Sequence, residues 1–138
     1  MKIRNAETKD LDQIAGLTAR FAREELAWGF KSSTAEELAR LDLSMIWVVE
    51  EHGSILGYAI CLPRENDGSC IYRKEDKILE LNEIYLVPGP RSKGAGTRLF
   101  KVVEVYARAN GYTKLFIYSS IKNLDPILKF YRANGCKT

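Results

Sequence analysis

A strand-to-helix turn carrying Arg91-Ser92-Lys93-Gly94-Ala95-Gly96 constrains this chain more than any other stretch. A strand-like run ending Ile84-Tyr85-Leu86-Val87-Pro88 leads into it, and an amphipathic helix leaves it. Glycines there let the backbone adopt φ > 0 and come close to a bound group. The first N–H groups of a helix lack intrahelical partners, and the helix dipole favours an anion at that end. Arg91 and Lys93 add positive charge. Such a turn suits a phosphate, although glycines also serve strand-to-helix turns for steric reasons alone.

The rest of the chain reads as alternating elements. Lys2 to Ala6 is a short strand. Thr8 is placed to cap a helix from Lys9 to about Ala27, with Asp10 in its first turn and Gly29 beyond its end. Leu11, Ile14, Ala15, Thr18, Phe21 and Ala22 recur there at helical spacing. Thr34-Ala35-Glu36-Glu37 is a capping box opening a second helix through Leu41. Ile46–Glu51 and Ile55–Leu62 are strands joined at His52-Gly53-Ser54, a hairpin signal. Pro63 to Asp76 is loop-like, and Lys77 to Val87 is a long strand. A helix from Gly94 to Asn110 carries Leu99, Val102, Val103, Tyr106 and Ala109 at apolar spacing and stops at Gly111. Lys114 to Ser120 is a strand with Leu115 and Ile117 on one face. Asp125 caps a last helix with Pro126 at its first position, ending near Asn134 before Gly135. The order β-α-α-β-β-β-α-β-α predicts a mixed α/β fold.

Composition narrows the function classes. The 138 residues fit one domain with one sizeable core. No apolar run is long enough to span a membrane, and Met1-Lys2-Ile3-Arg4 lacks the apolar stretch of a signal peptide, so a cytoplasmic location is the simplest reading. The net charge of +3 suits an anionic cofactor without the basic stripe of a nucleic-acid binder. Cys61, Cys70 and Cys136 show no metal-ligand spacing with the one histidine, which points to free thiols and no metal site.

Around the turn, Leu86-Val87-Pro88-Gly89-Pro90-Arg91-Ser92-Lys93-Gly94-Ala95-Gly96 resembles the acyl-CoA-binding motif of the GNAT family of N-acetyltransferases. That motif reads Arg or Gln, two residues, Gly, one residue, then Gly or Ala, after a hydrophobic strand and a proline. Arg91, Gly94, Gly96 and Pro88 match it. Gly89-Pro90 and Ser92 depart from it, where the family more often has an acidic residue, an aromatic residue and a glycine. Further segments resemble the family in order: Ile3-Arg4-Asn5-Ala6 with Asp10 and Ile14, then Val48 to Gly53, Ile55 to Ala59, and Pro126 to Tyr131 with Gly135. The likeness covers nearly the whole chain and implies that residues 1–138 form a single N-acetyltransferase domain. The implied fold is a mixed, mostly antiparallel central sheet flanked by helices. Family members carry one or two more strands after the last helix, whereas Gly135 stands three residues from the end here. The implied C-terminal strands are thus missing, through a naturally short chain or a truncation, or a second copy completes the sheet edge in a homodimer.

The resemblance also implies acetyl transfer from acetyl-CoA to a small-molecule or peptide amine, without nucleic acid or membrane. Arg91, Ser92, Lys93, Gly94, Ala95, Gly96 and Thr97 would cradle the pyrophosphate. Pantetheine would pair near Leu86 and Val87, with Tyr118 and Ser119 on the other wall. Asn123 resembles an asparagine that often precedes the helical tyrosine, but stands one residue too far upstream. Chemistry then sets needs. An amine of the lysine type, with a pKa of about 10.4, is mostly protonated at neutral pH and must lose a proton. The thioester oxygen needs a hydrogen-bond donor, and the leaving thiolate needs a proton. Tyr131 falls on the family's proton-donating tyrosine, its bland alternative being a packing aromatic. Glu80 and Glu83 are candidate bases, or else solvated strand carboxylates. A regular strand aims odd and even positions at opposite faces, so a bulge is needed to bring both to one acceptor.

His52 reads as an exposed turn residue. Trp28, Phe30 and Trp47 read as core aromatics near the implied acceptor segment, and Cys136 as a small apolar filler. No nucleophile–base pair favours a covalent intermediate, so direct attack of the amine is expected. Two rivals stand beside this reading. One is a non-catalytic acyl-CoA-binding regulatory module on the same fold. The other is a nucleotide- or nucleic-acid-binding domain, which the missing Lys-Ser/Thr ending of a P-loop opposes.

Overall fold

The hairpin signal is where local chemistry shows most directly in the computed structural model. His52 and Gly53 both adopt positive φ, at 52° and 80°. That pair matches a two-residue turn whose twist suits the flanking strands. It joins β2 (Ile46–Glu51) to β3 (Ser54–Arg64), and His52 is exposed. The structure describes residues 1–25, 29–90, 94–117 and 124–137, and of 124–127 only the backbone.

Among the described residues β1 (Lys2–Asn5), β2, β3, β4 (Ile78–Leu86) and β5 (Lys114–Ile117) form one sheet in chain order. Neighbours are antiparallel from β1 to β4, and β5 runs parallel to β4. Helix α3 (Ala95–Ala109) makes the crossover that a parallel pair requires. β3 is longer than predicted, taking in Pro63 and Arg64. Proline is tolerated there because β3 has already run past β2, whose last partner is Ile60.

Helices cover both faces. On one face α3 and α4 (Leu124–Ala133) pack Leu99, Phe100, Val103 and Tyr131 against Trp47, Leu79 and Leu86 of the sheet. On the other face α1 (Leu11–Arg23) and α2 (Ala35–Ala39) bring Ile14, Leu17 and Leu38 against Val48, Ile60 and Tyr85. This double cover explains why Ile46 to Val49 are all buried rather than alternating.

Several local expectations change. The first helix begins with a 3-10 turn at Thr8–Asp10, and Glu7 rather than Thr8 precedes it. Asp10 is only 2% exposed. It receives the Glu7 N–H at 2.8 Å and the Arg4 guanidinium at 2.7 Å. Those bonds from Arg4 hold its carboxyl below the usual range. α1 ends at Arg23, short of the predicted Ala27. Thr34 does form the capping box with Glu37, but α2 stops at Ala39. On α3 the buried stripe runs through Ala95, Leu99, Phe100, Val103 and Ala107, whereas the predicted Ala109 is exposed. α4 starts at Leu124, so Asp125 and Pro126 lie inside its first turn rather than at the cap and first position.

Candidate active site

The predicted cradle begins where β4 ends. Leu86 and Val87 are buried, and the Val87 N–H donates to the Leu56 carbonyl at 2.9 Å. β3 reaches this point only because residue 57 is glycine. A Cβ there would stand 2.4 Å from Leu86 Cδ2 and 2.6 Å from the Tyr85 carbonyl oxygen. Arg91, Ser92 and Lys93 lie outside the described residues. Gly94 follows as the N-cap of α3 in the left-handed region, with φ 77°, and no side chain caps the helix among the described residues. A Cβ on Gly94 would meet nothing within 4 Å among the described residues. Thr97 is exposed at the first turn. Gly96 is packed instead: a Cβ on it would stand 3.2 Å from Phe130 and 3.3 Å from Leu86. The two glycines thus do different work. Gly94 turns the chain in the left-handed region, while Gly96 lets α3 and α4 close on the strand end.

α4 places Tyr131 beside that contact. Its ring packs on Phe130 and Phe100 at centroid distances of 5.3 and 6.2 Å. The side chain is 9% exposed, and burial pushes its hydroxyl up to about 12. Tyr131 therefore keeps its proton at neutral pH. It also lines a cavity of about 730 Å3 between α3, β5 and α4, with Phe100, Leu115, Leu128 and Cys136. None of Leu86, Gly94–Thr97, Glu80 and Glu83 lines that cavity. Tyr118 and Asn123 lie outside the described residues, as does Trp28. Trp47 is buried on the α3 face, edge-on to Tyr106, and Phe30 stacks on Phe21 at 4.1 Å.

The two glutamates are brought to one face by a bulge. In the β3–β4 ladder Ile60 pairs with Glu83 and Cys61 with Leu81, leaving Asn82 as the extra residue. Leu79 and Leu81 before it, and Ile84 and Leu86 after it, all face α3. Glu80 and Glu83 accordingly both face the α1 side, opposite Tyr131. Their surroundings differ. Glu80 Oε1 receives Arg64 at 2.9 Å and its Oε2 receives the Asn82 amide at 2.9 Å. Arg64 in turn lies over the Phe116 ring at 4.0 Å. Glu83 has no cationic partner among the described residues; the Tyr58 hydroxyl donates to its Oε2 at 2.8 Å. Burial raises the Glu83 carboxyl, and the bond from Tyr58 partly offsets that rise. Beyond Leu81–Ile117 no β4–β5 pairing is described.

The thiols are not poised for nucleophilic work. Burial pushes Cys61 up to about 12 and raises Cys136, and Cys70 is exposed. Tyr58 was not anticipated from sequence. A tyrosine on an apolar strand carries no signal of its own, and only the register shows what its hydroxyl meets.

The architecture is a five-stranded mixed sheet flanked by helices, with a glycine at the start of the helix after β4, and comparison with known proteins places it. A model of the Acetyltransferase (GNAT) family matches residues 11–136. The uncharacterised N-acetyltransferase YhfO of Bacillus subtilis (strain 168) is 35% identical over 139 aligned positions, covering 98% of this chain and 89% of that protein. Among solved structures, the aminoglycoside N-acetyltransferase AAC(6')-Iy in complex with CoA superposes with a TM-score of 0.74 at 19% identity, covering 99% of this chain and 92% of that one. The aminoglycoside 6'-N-acetyltransferase AAC(6')-IG of Acinetobacter haemolyticus gives 0.73 at 19% identity, covering 100% and 92%. The last two share the fold. The chain belongs to the GNAT family of acetyltransferases, and thereby to the acyltransferases.

Proposed function

We propose that this chain, as a single domain, transfers the acetyl group of acetyl-CoA to an amine by direct attack. The observation that carries this reading is the N-terminus of α3, which begins at a left-handed Gly94 with no side-chain cap among the described residues. The residues present fit the cofactor. Backbone N–H groups at Ala95, Gly96 and Thr97 would donate to pyrophosphate oxygens, helped by the helix dipole. Arg91, Ser92 and Lys93 would add charge and hydrogen bonds from the preceding turn. The strand end at Leu86 and Val87, with Tyr118 and Asn123 opposite, would hold the pantetheine arm.

When bound, acetyl-CoA supplies the acetyl group and a thiolate leaving group. Glu83 takes a proton from the acceptor ammonium, leaving a lone pair free to attack the carbonyl carbon. Its raised pKa suits a base working near neutral pH, and one carboxylate oxygen has no partner among the described residues. Glu80 suits the role less well, because Arg64 and Asn82 occupy both of its oxygens. Tyr131 gives a proton to the departing sulfur, the second proton that the nitrogen sheds as the amide forms restores the phenol through solvent, and Glu83 releases its own proton to water. The phenol and the carboxylate face opposite sides of the sheet.

The acceptor class supported by the AAC(6')-type neighbours is a small-molecule amine such as an aminoglycoside. The test is calorimetric titration of acetyl-CoA with ATP as control, followed by thiol release with a panel of polyamines, aminoglycosides and lysine peptides. Micromolar binding of acetyl-CoA alone with turnover of one amine is expected. Binding without turnover would favour a regulatory module, and preference for ATP would overturn the cofactor.

A further inference from the structure

We propose that Tyr58 is a positioning residue for this reaction: its buried hydroxyl holds Glu83 Oε2 and leaves the other carboxylate oxygen to meet the acceptor amine. The inference rests on Glu83 being the base. It starts from geometry. Tyr58 is 0% exposed, on a strand locked between β2 and β4. Its ring packs on Tyr85 at 6.2 Å, Tyr85 on Phe21 at 5.1 Å, and Phe21 on Phe30 at 4.1 Å. Four rings in contact thus fix the direction of the phenol. A carboxylate gripped at one oxygen by such a group cannot rotate freely, and its second oxygen points one way.

The surrounding charges are few. On β4, Tyr85 follows Glu83 by two positions on the same face, and Glu80 precedes it on that face, paired with Arg64. Just past α1, Glu24 reaches this face through the Tyr85 hydroxyl. α2 turns the apolar Leu38 to the core. No cation among the described residues neutralises Glu83, so the Tyr58 bond is what opposes the burial that raises its carboxyl. Removing the hydroxyl while keeping the ring should raise the titration of Glu83 further.

The experiment reads Glu83 directly and through catalysis. In the full chain labelled with 13C-carboxyl glutamate, the Glu83 resonance is assigned by its loss in Glu83→Gln. Tyr58→Phe should move its titration midpoint up by about one unit, as expected for a lost hydrogen bond to a charged group. The acid limb of kcat/KM for the best amine of the panel should move up equally, and kcat on the plateau should fall about tenfold with KM little changed. Should Tyr58→Phe fail to fold, global 3-fluorotyrosine labelling keeps the ring and makes the phenol a stronger donor, and the midpoint should then move down. A limb that vanishes in Glu83→Gln but stays put in Tyr58→Phe overturns the role of Tyr58 alone. A limb and rate unchanged in Glu83→Gln, or no turnover of any amine, overturns the base and this inference together.

Discussion

At the residue scale, two side chains with raised pKa values stand on opposite sides of the sheet, and each answers a different need. Tyr131 keeps its proton because burial has moved it up to about 12. Tyr131→Phe keeps the packing on Phe100 and Phe130 and removes only the hydroxyl. It should lower kcat about 100-fold, a usual contribution of general acid catalysis, with acetyl-CoA affinity unchanged by calorimetry. An unaltered kcat would remove Tyr131 from the mechanism. Glu83 makes a stability prediction as well. Its folded pKa lies above the unfolded value of about 4.3. Between the two, the folded chain binds a proton that the unfolded chain has lost, so stability falls as pH rises through that window. Glu83→Gln removes this loss. Melting curves from pH 4 to 8 should show the variant gaining on the natural chain with rising pH, and parallel curves would show that Glu83 is not buried as described.

At the element scale, the glycines separate into positions that need conformation and positions that need space. Gly57→Ala pushes a methyl into Leu86 and the Tyr85 carbonyl. Overpacking of this kind costs about 2 kcal/mol, which denaturant unfolding would measure. Retained stability would mean that β3 and β4 separate easily at this end. Gly94→Glu puts a carboxylate at the N-terminus of α3, at a φ that L-residues rarely adopt. It should abolish acetyl-CoA binding in the calorimeter, and retained affinity would refute the cradle. Of these two glycines the sequence singled out Gly94, because turn glycines sit between recognisable elements. Gly57 looked like any residue in an apolar strand, since its need comes from Leu86 across the sheet. Helix ends were misplaced for a related reason. Asp10 reads as a first-turn acid until Arg4, from β1, claims it.

At the scale of the whole molecule, the sheet divides the core into an α3–α4 face and an α1–α2 face. Tyr131 and Glu83 share no contact across it. The stability changes of Tyr131→Phe and Glu83→Gln should therefore add to within about 0.5 kcal/mol in the double variant, measured by urea unfolding. A larger coupling would show that the two faces communicate through β4. The sequence by itself determined the order of elements, the family and the glycine turn at the end of β4, because periodicity, caps and turn residues act over a few neighbouring positions. Only the tertiary structure decided which glutamate has an open oxygen and that both share a face, because the Asn82 bulge arises from pairing with β3. The same holds for Tyr58, whose partner is 25 residues away. Register across a sheet is a property of two strands at once, and neither strand's residues specify it alone.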